Sequence, residues 1–162
     1  MEYNRENAVL YAHRWAMSRN PAYYNFTGIG GDCANFASQC IKAGGATMNY
    51  TRTFGWYYIN LNNRSPSWSG VQYLQNFLLR PDKTQGPYAI ISKPEDLEPG
   101  DIIQLGHSDG TFYHTLIAVS TTHTQNLDDL LVACHTYDSD NRPLSSYTFD
   151  QMKCMHIVGV RE

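Results

Sequence analysis

The spacing of apolar residues changes at Tyr88, and that change limits the folds open to this chain more than any other feature. Before it, Ala8, Val9, Ala12, Trp15 and Ala16 recur at helical spacing, as do Phe36, Ala37, Cys40 and Ile41, and then Val71, Leu74, Phe77 and Leu78. Each set follows a cap-type residue (Asn4, Asp32, Ser69) and stops at a breaker (Asn20-Pro21, Gly44-Gly45, Arg80-Pro81), which predicts three helices, the first over 5–18. After Tyr88 come five short runs rich in branched and aromatic residues: 88–92, 101–105, 111–120, 130–137 and 154–161. Pro94, Pro99-Gly100, Asp109-Gly110 and Asn141-Arg142-Pro143 separate them, so they read as strands. Helices first and consecutive strands after predict an α+β fold, with N-terminal helices packed on a mainly antiparallel sheet. Residues 46–69 read as a long loop whose rings, Trp56, Tyr57, Tyr58 and Trp68, wall a cleft or tuck over the core.

At 162 residues the chain, 1–162, reads as one domain large enough to bury a core. A net charge of -3 gives no argument for nucleic acid or an anionic membrane as partner. No run of about 18 apolar residues and no signal-type N-terminus is present, so no membrane insertion is expected. The compartment stays open: cytoplasmic if Met1 is native, secreted or cell envelope if Met1 replaces a removed leader. A monomer is expected. Twelve tyrosines raise the aromatic share to 13%, and such rings commonly line clefts for sugars or peptides.

Of the four cysteines, Cys33 sits where a helix begins, after Gly30-Gly31. There the unpaired N–H groups and the helix dipole favour a thiolate, which predicts a pKa below the ordinary value of about 8.5, and the same N–H groups suit an oxyanion. Cys33 is therefore the candidate nucleophile. Tyr24, Asp32 and Trp56 are candidate oxyanion or substrate contacts. Cys40, mid-helix, is expected to be a buried thiol outside any disulfide.

A cysteine nucleophile needs a base, and six histidines are available. His114 shares a strand face with Leu116 and Ala118 near the strand's beginning, where a rigid element holds a side chain at a cleft. On the next strand His135 alternates with Leu131 and Ala133, and a regular ladder would set it beside His114 as the group that orients the imidazole. Asp138 and Asn141 compete for that role. His107, His114 and His135 lack the tight spacing of a metal site, and no cofactor is expected.

Tyr3-Asn4-Arg5, Ala8 to Ala12 with Trp15, the block Gly31-Asp32-Cys33-Ala34-Asn35-Phe36-Ala37-Ser38-Gln39-Cys40, Ala43-Gly44-Gly45, Gly55-Trp56, Trp68, Pro99-Gly100-Asp101 and His114 resemble the putative amidase domain family over nearly the whole chain. That family is similar to the NlpC-type and CHAP-type cell-wall peptidases among the papain-like cysteine hydrolases. The resemblance implies a cysteine-bearing helix against an antiparallel, partly barrel-like sheet, with Cys33, His114 and His135 catalytic. Ala34 departs from relatives that carry a hydroxyl residue after the cysteine. The expected activity is cleavage of an amide, on a peptide or peptidoglycan substrate, through a thioester. The alternatives are a cysteine acyltransferase, or a cell-wall or glycan binding module with an inactive hydrolase site, suggested by the rings around Trp56 and Trp68.

Overall fold

The computed structural model describes residues 1–162 and contains the three expected helices and a fourth, short one. In α1 (Arg5–Trp15) the Asn4 side chain caps the start by accepting from the Asn7 N–H at 3.0 Å; the helix unwinds before Ser18. α2 (Cys33–Ala43) begins at the cysteine itself. The expected long loop holds a small hairpin, β1 (Tyr58–Asn60) with β2 (Asn63–Arg64), then α3 (Pro66–Ser69). α4 (Val71–Leu78) starts after Gly70 rather than Ser69.

Nearly all of α2, from Cys33 to Ile41, is buried, so its polar residues must bond inside the protein. Ser38 Oγ donates to the Trp68 carbonyl (2.8 Å) and accepts from Trp56 Nε1 (3.1 Å), and Trp68 Nε1 donates to Asn35 Oδ1 (2.9 Å). Trp56 and Trp68 are fully buried, their ring centroids 4.8 Å apart. The segment thus closes over α2 as core, and the expectation that Trp56 contacts substrate is corrected: its ring faces Trp68 and Phe77, not a cleft.

The sheet comprises β3 (Gly86–Ser92), β4 (Ile102–Gly106), β5 (Phe112–Ser120), β6 (Leu131–Cys134), β7 (Ser139–Pro143) and β8 (Gln151–Arg161) in the order β3-β8-β4-β5-β6-β7. Every pairing is antiparallel. The sheet is open, with β3 and β7 at its edges, so the barrel-like closure expected above does not occur. β7 occupies what the sequence offered as a turn. β6 ends at Cys134 because Thr136 and Tyr137, at φ 68° and 54°, leave the extended region.

One face of the sheet, through Ile102, Ile117, Ala133 and Met155, packs on the helices. The other, through Ile103, Leu116, Ala118, Val132 and Cys134, packs on Leu97, Leu130 and Leu144. Asp101, fully buried, ties the two halves of the chain together: it accepts from Arg5 Nη1 (2.7 Å), the Ile157 and Glu98 N–H groups and His156 Nδ1. Tyr3 donates to the Gly100 carbonyl at 2.9 Å. The Tyr-Asn-Arg and Pro-Gly-Asp motifs are accordingly one structural joint.

Candidate active site

Cys33 opens α2, and α2 packs across β5. Cys33 is 6% exposed, and the backbone N–H groups of Thr115 and Ala34 favour its thiolate. Burial nonetheless dominates and pushes the Cys33 pKa up to about 11, with Cys134 and the Asp32 carboxylate adding to the rise. The lowered pKa expected from the helix start is therefore corrected. A dipole end and two N–H donors are outweighed when the charged form must leave water.

Thr115 follows His114 on β5, so the nucleophile candidate and the base candidate meet the same strand at adjacent positions. Their side chains are not hydrogen-bonded; the one cysteine side chain that is bonded is Cys134, to the Tyr147 hydroxyl at 3.2 Å. Burial, aided by the nearby Arg142 cation, pushes the His114 pKa down to about 4, which leaves the imidazole neutral at pH 7. Thr136 Oγ1 is the one buried side-chain nitrogen or oxygen without a partner. The ring nitrogens of His114, equally unpartnered, consequently reach the adjoining cleft of about 260 Å³, whose walls include Tyr113, Thr136, Arg142 and Tyr147.

His135 does not hold His114. β5 and β6 pair with Ile117 opposite Ala133 and Ala118 opposite Val132, which sets His135 on the face of Ile117, the helix side, and His114 on the other. Its Nδ1 meets Asp32 Oδ2 at 2.5 Å, its Nε2 meets the Trp15 carbonyl at 2.8 Å, and its ring stacks on Phe36 at 4.0 Å. Both ring nitrogens are used. Parity along each strand does not set the face on which two side chains meet; the register between the strands does. The competing residues do not orient the base either: Asp138 accepts two bonds of 2.9 Å from Arg19, and Asn141 is exposed on β7 with a left-handed φ of 53°.

Asp32 is also reassigned. It stands at the cap position without capping, because Oδ1 accepts from the Phe26 N–H and Asn35 Nδ2, both at 2.8 Å, and Oδ2 from His135. Burial alone would raise its pKa, but these hydrogen bonds prevail and hold it below the usual carboxylate range. At 1% exposure it touches no substrate; it fixes the turn that delivers Cys33. Tyr24 lies at the surface with its ring edge-on to Phe26. Its carbonyl accepts from Asn35 Nδ2, and its phenol makes no hydrogen bond within the protein. His107 stacks on Tyr113, and no group of three or more His, Cys, Asp or Glu is arranged to hold a metal ion. All four cysteines are free and buried, as expected for Cys40.

Comparison with known sequences decides the family. The profile of the Putative amidase domain matches residues 2–158. The chain belongs to that family. An uncharacterized protein, YhbB of Bacillus subtilis (strain 168), is 37% identical over 145 residues, 87% of this chain and 44% of that protein. The chain thus spans less than half the length of that relative. No solved structure matches. Within Gly31-Asp32-Cys33 the aspartate holds the turn and the cysteine opens the helix. No helix is long and apolar enough to cross a membrane. Thr136, Arg142 and Tyr147, which share the cleft with His114, went unnoticed because Asn141-Arg142-Pro143 carries a turn signal and a threonine none.

Proposed function

We propose that the protein is a cysteine-dependent amidase with Cys33 as nucleophile and His114 as general base. What carries the reading is the presentation of Cys33. Its sulfur lies in the first turn of α2, the backbone N–H groups of Ala34 and Thr115 favour its thiolate, and Thr115 follows on β5 a neutral imidazole open to a cleft. Membership of an amidase family supports it, as does the layout, a helix-borne cysteine against an antiparallel sheet carrying the histidine, which papain-like hydrolases share.

In the resting site both groups are neutral. For this step His114, whose ring lies on the sheet face away from α2, turns about the start of β5 into hydrogen-bond reach of the thiol as substrate binds. His114 takes the thiol proton as Sγ attacks the amide carbon, and the N–H of Cys33, unpaired at the helix start, steadies the oxyanion. The C–N bond breaks as His114 returns that proton to the leaving nitrogen, and a thioester remains. Water then gives one proton to His114 and its oxygen to the acyl carbon. The C–S bond breaks, and the proton returns to sulfur. Peptidoglycan peptides are the substrates to test first. The protein and Cys33→Ala are each incubated with purified peptidoglycan, and released fragments are identified by mass spectrometry. New amine and carboxyl ends, one water gained per bond cut and none with Cys33→Ala, are expected.

The burial of a protonated Cys33 favours a second reading, a cell-wall binding module without turnover. It predicts that the protein sediments with peptidoglycan and releases nothing.

A further inference from the structure

The cleft beside His114 holds a cation that nothing in the protein neutralises. Arg142 forms no salt bridge, although two acids lie within four residues of it along the chain: Asp138 is taken by Arg19 at 2.9 Å and Asp140 by His13 at 2.8 Å. Its guanidinium is instead fixed in place. Nε donates to Ser146 Oγ (2.7 Å), Nη2 to the Ser146 carbonyl (3.3 Å), and the plane lies 3.8 Å over the Tyr147 ring. Nη1 has no partner. A stacked, half-buried guanidinium with a free N–H edge suits a carboxylate, whose two oxygens match its fork.

Resting on the amidase reading, we infer that this cleft binds the leaving-amine half of the substrate and that Arg142 holds a carboxylate carried on that amine. His114 must face the leaving nitrogen to protonate it, so the space on the Arg142 side of the imidazole receives the amine and not the acyl half. The Arg142 charge is close enough to His114 to depress its basicity, which an arriving carboxylate offsets as the base is needed. The cleft of about 260 Å³ falls below the usual range for ligand pockets, about 300–1,000 Å³, and so accepts one amino-acid-sized group. The substrate class is an amide whose leaving amine is an amino acid with its own carboxylate free.

The test compares N-acetyl-alanyl-alanine with its C-terminal amide. Affinity is measured by calorimetry on Cys33→Ala, alone and combined with Arg142→Lys or Arg142→Gln, and turnover is measured on the same Arg142 variants with Cys33 intact. The acid is expected to bind at least about tenfold tighter than the amide. Arg142→Gln should abolish that preference by raising KM for the acid with little change in kcat, and Arg142→Lys should keep part of it. Melting curves check that both variants fold. Equal affinity for acid and amide, no measurable affinity for either, or a preference that survives Arg142→Gln overturns the inference. Arg142-dependent binding without any hydrolysis would remove the amidase reading and leave the carboxylate site standing. Hydrolysis of peptidoglycan or of both dipeptides, with no acid preference, would do the reverse.

Discussion

Replacing Asp32 by alanine should cost more stability than any change of a surface charge, and the cost follows from its partners. Three buried donors converge on the carboxylate, from Phe26, Asn35 and His135, with Arg19 Nε at 3.6 Å. His135 meets the Asp32 carboxylate through Nδ1 and the Trp15 carbonyl through Nε2, so the two side chains form a buried pair. Removing one member of such a pair costs about 3–5 kcal/mol, which at roughly 2–4 °C per kcal/mol for a domain of this size lowers Tm by about 6–20 °C. Asp32→Asn behaves differently. Its oxygen still accepts from Phe26 and Asn35, and its amide takes the place of Oδ2 beside His135 Nδ1, leaving a loss of about 1–1.5 kcal/mol, the difference between charged and neutral hydrogen bonds. Urea unfolding followed by tryptophan fluorescence, with Trp56 and Trp68 buried beside α2, reads both variants. A cost for Asp32→Ala under about 1 kcal/mol, or equal losses in the two variants, would refute the reasoning.

Three further outcomes follow from the buried site. Folding favours the neutral form of His114, whose pKa falls from 6.5 to about 4. Its contribution is therefore complete above pH 6.5 and lost on acidification toward pH 4, so the protein should lose about 3 kcal/mol over that interval that His114→Phe does not, by denaturant titration at each pH. Activity needs one proton shared by Cys33 and His114. kcat/KM should rise through a pKa near 4 and fall near 11, and an upper limb at 8–9 would mean a preformed thiolate–imidazolium pair. Alkylation of Cys33 by iodoacetamide, followed by peptide mass spectrometry, should be slow at pH 8 and accelerate only toward pH 11.

How much of this was legible in the sequence depends on what each signal measures. Apolar periodicity reports which residues face a core, and it located α1, α2, α4 and the β3, β4, β5, β6 and β8 regions. It was silent on β7, whose Ser139-Asp140-Asn141-Arg142-Pro143 has no apolar alternation because the strand lies at the sheet edge. Local motif reasoning found Cys33 at a helix start and His114 on the strand that the helix crosses. It failed where the answer is a matter of register or desolvation. Pairing Ile117 with Ala133 sends His135 to Asp32, and the environment that buries Cys33 raises the pKa that the helix start should lower. Asp32 looked like a cap because its position is a cap's; the Phe26 N–H and the His135 ring that claim it are brought in by tertiary structure. Arg142 and Thr136 have meaning only once β7 and the turn after β6 close on His114.

The most direct test of the central claim is to look for the acyl group on sulfur. The protein is mixed with a peptide that it cleaves, quenched in acid within a turnover, digested and sequenced by mass spectrometry. Amide cleavage through Cys33 predicts an acyl adduct on the peptide containing Cys33, accumulating before steady state and absent in Cys33→Ala along with all turnover. Undiminished cleavage by Cys33→Ala would contradict it.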